Sequence, residues 1–200
     1  MKEIAAVVLA AGASRRFGAD KLLHPVNAGN NTIPLIARSL SPWLETFSQV
    51  TVVVRADSDE LRRQIEQTLG PEKAAGIRWC ICPDALLGMS ASLAAGVAYN
   101  HHADGWLIGL ADMPAVPSAI IGEVRDAIAS GSPLAAPYCD GLRGHPVGFA
   151  ARYKDELLAL QGDAGARDIL KRDAGSLLRI DTMDPGIFTD IDSPEDLIGL

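Results

Sequence analysis

Two glycines, two arginines and a lysine fall within one short stretch, Leu9-Ala10-Ala11-Gly12-Ala13-Ser14-Arg15-Arg16-Phe17-Gly18-Ala19-Asp20-Lys21. Glycines let backbone N–H groups come close to a ligand, and a nest of such groups holds anions. Arg15, Arg16 and Lys21 add the positive charge that a polyphosphate needs. Work on a nucleoside triphosphate is the chemistry implied, with backbone groups of Leu9 through Ser14 around the nucleotide. Spacing excludes two common phosphate loops. A Walker A loop has four residues between its glycines and a Lys directly after the second, whereas five residues separate Gly12 from Gly18 and Ala19 follows. The dinucleotide fingerprint G-x-G-x-x-G is absent.

A second point of chemistry is Asp112, in Leu110-Ala111-Asp112-Met113-Pro114, directly after an apolar run. Triphosphate chemistry uses Mg²⁺, which binds through one or two carboxylates plus phosphate oxygens. A third is Gly88-Met89-Ser90-Ala91-Ser92, which opens a helix rich in small residues. Small residues let a ligand reach the helix N–H groups, and the helix dipole favours anions. Ser90 and Ser92 are candidate donors to base or ribose, with Gly88 beside them.

These residues must be held by strands and helices in alternation. Ile4–Leu9, Gln49–Val54, Ile77–Ile81 and Trp106–Leu110 are apolar runs of strand length. Between them, Ser58–Leu69 reads as an amphipathic helix capped by Ser58 or Asp59, and Ser90–Tyr99 as a second helix. Ile120, Ile121, Val124 and Ile128 mark a third. Alternation of this kind predicts an α/β fold: a mainly parallel, Rossmann-like sheet with helices on both faces, in one domain over residues 1–200. Ligands of such sheets sit beyond the carboxyl ends of the strands, which is where the first loop and Asp112 fall. After Pro137 the alternation weakens. A turn-rich segment, Gly141–Pro146, precedes a short strand, two short helices around 153–160 and 165–171, and a last strand at Leu177–Ile180. Ser193-Pro194 then opens a final helical turn.

Composition narrows the class. The 200 residues are 48% hydrophobic and 22% charged, which fits a globular chain. A net charge of −7 argues against a broad nucleic-acid or membrane surface. No apolar stretch approaches membrane-spanning length or resembles a signal peptide, and a cytoplasmic protein is expected. Cys80 and Cys82 share one side of a strand, without the spacing of a zinc or redox pair, and with Cys139 they are expected to be reduced and structural.

The first loop and Leu-Ala-Asp-Met-Pro together resemble the opening and metal-binding motifs of the molybdenum cofactor nucleotidyltransferases. The resemblance runs from Val7 to Leu197, with motifs in the family's order. Gly144-His145-Pro146-Val147 and Gly162-Asp163-Ala164-Gly165-Ala166-Arg167 are similar to motifs of the molybdopterin cytidylyltransferase-like branch. That branch implies roles for His145 and Arg167 on the acceptor side, although Arg167 could equally pair with Asp163. Asp190-Ile191-Asp192-Ser193-Pro194-Glu195 resembles the family's C-terminal motif, which implies a second metal carboxylate. Asp190 and Asp192 share a side of an extended segment; Asp190 is preferred and Asp192 is the alternative. Ala11 stands where the guanylyl branch usually has Gly, and its methyl favours a pyrimidine. The polar stretch after Leu23 departs from the family's shorter, more apolar turn.

The resemblance implies transfer of CMP from CTP to molybdopterin, with Mg²⁺ and release of pyrophosphate. The product's destination would be a molybdoenzyme client. Arg15, Arg16, Lys21 and Asp112 are the expected catalytic set. Rival readings are a guanylyltransferase, a sugar-phosphate nucleotidylyltransferase, and a non-catalytic carrier of the cofactor.

Overall fold

The computed structural model describes residues 2–12, 17, 20–29 and 31–197. In chain order the elements are β1 (Ile4–Leu9), β2 (Pro25–Ala28), β3 (Asn31–Pro34), α1 (Leu35–Thr46), β4 (Val50–Val54), α2 (Asp59–Ala74), β5 (Ile77–Ile81) and α3 (Met89–Tyr99). They continue with β6 (Gly105–Leu110), α4 (Ser118–Ala129), β7 (Leu134–Cys139), β8 (Leu142–Arg143), β9 (Val147–Ala150), α5 (Lys154–Leu158), α6 (Arg167–Arg172) and β10 (Leu177–Asp181).

The main sheet runs β10-β7-β9-β6-β1-β4-β5, with β8 paired to β7. β1 lies inside the sheet, parallel to both β4 and β6. From β1 the chain builds outward through β4 and β5, then returns to the other side of β1 with β6. That reversal of strand order opens a crevice beyond the carboxyl ends of β1 and β6, where α/β sheets bind ligands. The expected α/β architecture is present, with one qualification: β9 runs antiparallel to β6 and β7, and β8 antiparallel to β7.

Strand alternation divides the interior into two layers. Val8, Val52 and Leu107 pack on one face with Ile36, Leu40 and Trp43 of α1, Leu61 and Ile65 of α2, and Ile121 and Val124 of α4. Val7, Val53 and Trp106 pack on the other with Leu93 and Val97 of α3, Leu157 of α5, and Ile169 and Leu170 of α6. β1 is apolar throughout, and β4 all but Thr51, because both of their faces are covered; the buried Thr51 hydroxyl donates to Asn100 Oδ1 at 3.1 Å. Cys80 and Cys82 lie side by side in the second layer, as their spacing predicts, and all three cysteines are free. Burial, then the neighbouring Cys82, pushes the Cys80 thiol up to about 11, so it stays protonated.

Two elements are not evident in the hydrophobic pattern. α1 contains Pro42, which deletes an intrahelical donor, yet Leu35, Ile36, Leu40 and Trp43 bury one face and hold the helix. β7 contains Pro137 inside a sheet. On one edge of β7 the proline falls after β9 pairs with Leu134 and Ala135 and before β8 pairs with Tyr138 and Cys139, while on the other edge β10 runs alongside with Ile180 opposite Pro137. The predicted helix at Ser58–Leu69 extends to Ala74, with a break at Gly70 (φ 73°), and Ser58 makes no side-chain cap.

Gly109, on β6 two residues short of the site loop, lies tight against Trp43 of α1. A Cβ there would run into the Trp43 ring. Trp43 is 2% exposed and has no room to retreat. Gly109→Ala is expected to destabilise the fold by about 1–3 kcal/mol through overpacking. The check is a urea titration in which the midpoint falls while the slope is kept.

Candidate active site

β1 delivers its chain to the crevice through Leu9, Ala10 and Ala11. The Ala10 N–H donates to Val53 O at 2.8 Å, and the Ala111 N–H donates to Leu9 O at 3.0 Å. These bonds hold the starts of the two site loops side by side. β6 ends at Leu110, and the next two residues bring out Asp112. The Asp20 carboxylate accepts from the Leu22 N–H at 3.3 Å and opens a short 3₁₀ turn, Lys21–Leu23. That turn sends Lys21 inward, where it is 8% exposed.

Lys21 Nζ donates to Asp112 Oδ2 at 2.8 Å and to Asp192 Oδ1 at 3.3 Å. Burial alone would lower the Lys21 pKa. The hydrogen bonds and charges of Asp112, then Asp192, outweigh it, and the ammonium titrates above its ordinary value. Lys21 is therefore a full cation at neutral pH.

The three charged groups line a cavity of about 430 Å³. Leu9, Ala10, Ala11 and Gly12 form its floor from the first loop, and Gly88 and Ser92 come from the start of α3. Parts of both expected segments therefore meet in one space. Ala13, Ser14, Arg15 and Arg16 lie outside the described residues.

The structure places three expected site residues away from the cavity lining. Ser90 does not face the cavity. It is fully buried, its hydroxyl donates to Gln161 O at 3.1 Å and its N–H to Gly162 O at 3.1 Å. Its role is to fasten the 161–163 loop to α3. Asp192, not Asp190, lines the cavity and meets Lys21. The register is set by Ile191, which is wholly buried and donates its N–H to Asp112 O at 3.0 Å. Partial burial, then Asp192 and Asp112, raises the Asp190 pKa above the usual carboxylate value. Arg167 is exposed at the start of α6 and does not line the cavity.

His145 also stands back from the cavity lining. Its Nδ1 is buried and has no hydrogen-bond partner among the described residues. Burial, then the charge of Arg143, lowers its pKa, and the nearby Asp112 only partly opposes this. His145 is thus a neutral imidazole behind Asp112.

Sequence reasoning missed other site residues. Leu86, Met89 and Asp163 line the cavity. Arg55, just beyond β4, donates Nη1 to Gly12 O at 3.0 Å and Nε to Asp57 at 3.0 Å, so it braces the first loop. Its position at the carboxyl end of a central strand was the available signal.

Among the described residues no three His, Cys, Asp or Glu side chains are grouped closely enough to hold a metal. Two carboxylates facing one ammonium suit a cation that takes its other ligands from phosphate and water.

The family described as the MobA-like NTP transferase domain matches residues 6–177, most of the chain and all of the first loop, α3 and the Asp112 loop. The chain belongs to this family. It is also 33% identical over 203 residues to the purine catabolism protein PucB of Bacillus subtilis (strain 168), covering 95% of this chain and 92% of that protein. Among solved structures, an Rv0371c homologue from Mycobacterium sp. strain JC1 superposes with a TM-score of 0.79 at 26% identity, covering 96% of this chain and 92% of that one. Rv0371c of Mycobacterium tuberculosis in complex with manganese shares the fold, with a TM-score of 0.75 at 21% identity and coverage of 98% and 95%. As a MobA-like NTP transferase the chain is a nucleotidyltransferase. Among the described residues of this family member, no helix is long and apolar enough to cross a membrane.

Lys21→Met keeps the aliphatic stem and removes the charge. The variant is expected to lose about 10²-fold or more in kcat/KM, the scale for one electrostatic stabiliser. Its stability should fall by only about 1–2 kcal/mol, because Asp112 and Asp192 keep contact with water. Steady-state kinetics beside a urea titration separate the two effects. Activity within threefold of wild type would make Lys21 a purely structural cation.

Proposed function

We propose that the protein transfers CMP from CTP to a phosphorylated acceptor of the molybdopterin type and releases pyrophosphate. The observation that carries this reading is the Lys21–Asp112–Asp192 cluster, which lines one cavity with Leu9, Ala10, Ala11 and Gly12. Ala11 supports the choice of base: it is 4% exposed and lines the cavity, so its methyl occupies space that a larger purine would need.

In the proposed reaction an acceptor phosphate oxygen attacks the α-phosphorus in line. A new P–O bond forms as the bond to the β-phosphate bridge breaks, and pyrophosphate leaves with the electron pair. The acceptor oxygen is already anionic, so no general base is required. Positioning and charge neutralisation account for the rate. Leu9 through Gly12 supply backbone groups to the nucleotide, and Arg15 and Arg16 are assigned to the phosphates. Lys21 exchanges its carboxylate partners for phosphate oxygens when the triphosphate enters.

Lys21 Nζ marks a place where two carboxylates already stabilise positive charge, and this fits a divalent cation. Asp112 and Asp192 would hold Mg²⁺, with Asp190 behind them. When bound, the ion supplies charge neutralisation to the triphosphate. His145 and Arg167 are kept as acceptor-side candidates that would need to approach the ligand from beyond the cavity lining.

The direct test sets the four triphosphates against molybdopterin and reads pyrophosphate. CTP is expected to lead, and Ala11→Gly to narrow its margin over GTP by on the order of 1 kcal/mol, the worth of one methyl. A wild-type preference for GTP would sink the cytidylyl reading. No pyrophosphate with any triphosphate would leave a carrier.

Metal dependence supplies a second test. Asp112→Asn is expected to keep the fold, lose most turnover and recover part of it with excess Mg²⁺, since this ion leans on few carboxylates. Asp192→Asn should raise the Mg²⁺ requirement less, and Asp190→Asn least. Mg²⁺ titrations of the three variants give the order, and equal dependence in wild type and Asp112→Asn would remove Asp112 from the metal.

A further inference from the structure

β10 is an outer strand of the main sheet. Among the described residues it has β7 along one edge and no strand along the other. Successive residues of a strand turn their N–H and C=O groups alternately to its two edges. The Thr182 N–H, one residue past β10, donates to Tyr138 O of β7 at 2.8 Å. Counting back, Leu178 and Ile180 also face β7, and the backbone groups of Leu177, Arg179 and Asp181 point away from the sheet. Such an edge is a template for another strand.

Proteins blunt open edges with proline, bulges or charge. β10 contains no proline and pairs with β7 in unbroken register from Leu177 to Asp181. Its outward charges are one of each sign. Arg179 and Asp181 are both exposed and lie 3.5 Å apart, and the Arg179 guanidinium is held over the Tyr138 ring at 4.2 Å. Beside them Leu178 is 46% exposed and Met183 is 87% exposed.

We propose that β10 pairs antiparallel with β10 of a second copy of this chain, about a two-fold axis at Ile180, to form one continuous sheet. Residues whose backbone groups face each other across an antiparallel pair exchange two hydrogen bonds. With the axis at Ile180, Arg179 of each copy lies opposite Asp181 of the other. The two outward-facing residues are thus the two of opposite charge, and one register satisfies both backbone and side chains. An axis at Arg179 or at Asp181 would set like charges face to face, which is destabilising. The same register occupies the exposed apolar groups. Ile180 meets its own copy with Leu178 on the same face of the sheet, and Met183 falls level with Leu177 of the second copy. Exposed ion pairs add little affinity and act mainly on register, so the association rests on backbone hydrogen bonds and the Leu178–Ile180 row. The interface is small, and a reversible dimer in the micromolar range is expected. β7 and β9 separate β10 from β6, so the pairing leaves the cavity open and does not rest on the proposed reaction.

Sedimentation velocity of the full-length protein over a concentration series reads the association, and wild type is expected to pass from monomer to dimer. Arg179→Asp and Asp181→Arg are each expected to weaken the dimer by about tenfold or more, because each places like charges opposite one another twice. Mixed one to one, the two variants are expected to associate at least as tightly as wild type, since the aspartates of one copy face the arginines of the other. No contact within a single chain yields that result. Oxidative cross-linking fixes the register without changing charge. Ile180→Cys is expected to cross-link and Leu178→Cys is not, because only Ile180 lies opposite itself, with Cα atoms about 4.5 Å apart, within reach of a disulfide. The native cysteines are buried and free, which keeps the background low. A wild type that stays monomeric, an unchanged dimer in both charge variants, or a mixture no tighter than its components would each overturn the inference. So would cross-linking of Leu178→Cys as readily as Ile180→Cys, or of neither. Where a charge variant fails to fold, the cysteine variants decide the register alone.

Discussion

One ammonium joins three distant parts of the chain. Lys21 comes from the turn after the first loop, Asp112 from the end of β6 and Asp192 from the C-terminal segment. None of the three is placed by its neighbours in sequence alone. Asp112 inherits its position from the central strand pair, where β1 and β6 are in register from Ile4–Gly105 to Leu9–Leu110. Asp192 inherits its position from Ile191, which is anchored to Asp112 through the backbone. A buried lysine would be costly without its partners, and two nearby carboxylates would repel without the lysine. The cluster therefore stabilises the fold only as a unit, and it leaves the site with positive charge already positioned.

The sheet explains why this cluster lies where it does. Both central strands are apolar on both faces, so they end together at one edge, and the reversal of strand order leaves that edge open. The two large cores hold the strands but contain neither Lys21 nor Asp192. Their sequence neighbours are buried instead: Leu22, beside Lys21, belongs to the first core, and Ile191, beside Asp192, to a third, small cluster with Val26 and Leu35. Lys21 thus shares its anchor with the frame that carries Asp112, while Asp192 is anchored through the hairpin and the C-terminal segment.

Much of this was legible in the sequence, and the failures share a cause. Strand-end position is a local property. It can be read from an apolar run followed by a loop, which is why the first loop and Asp112 were found. Partner choice is not local. Ser90 reads as a ligand donor until its hydroxyl meets Gln161 O, 71 residues away. Asp190 and Asp192 are indistinguishable by alternation, because both flank the same inward Ile191; a single backbone bond to Asp112 settles the register. Pro42 and Pro137 each suppress a local signal that tertiary contacts restore, through a buried helix face in α1 and through a change of strand partner in β7.

Asp163 shows the same limit from the other side. In the sequence it stands four residues before Arg167, at the head of a helix, and the natural reading is an ion pair or a cap. In the fold Arg167 turns outward, and the loop is turned the other way by Ser90 and admitted by the missing side chain of Gly88. Asp163 is an exposed carboxylate on the cavity lining, on a loop held by the two hydrogen bonds of buried Ser90. The two motifs that created this position, Gly88-Met89-Ser90 and Gly162-Asp163, lie more than seventy residues apart and carry no meaning for each other until α3 and the 161–163 loop are in contact.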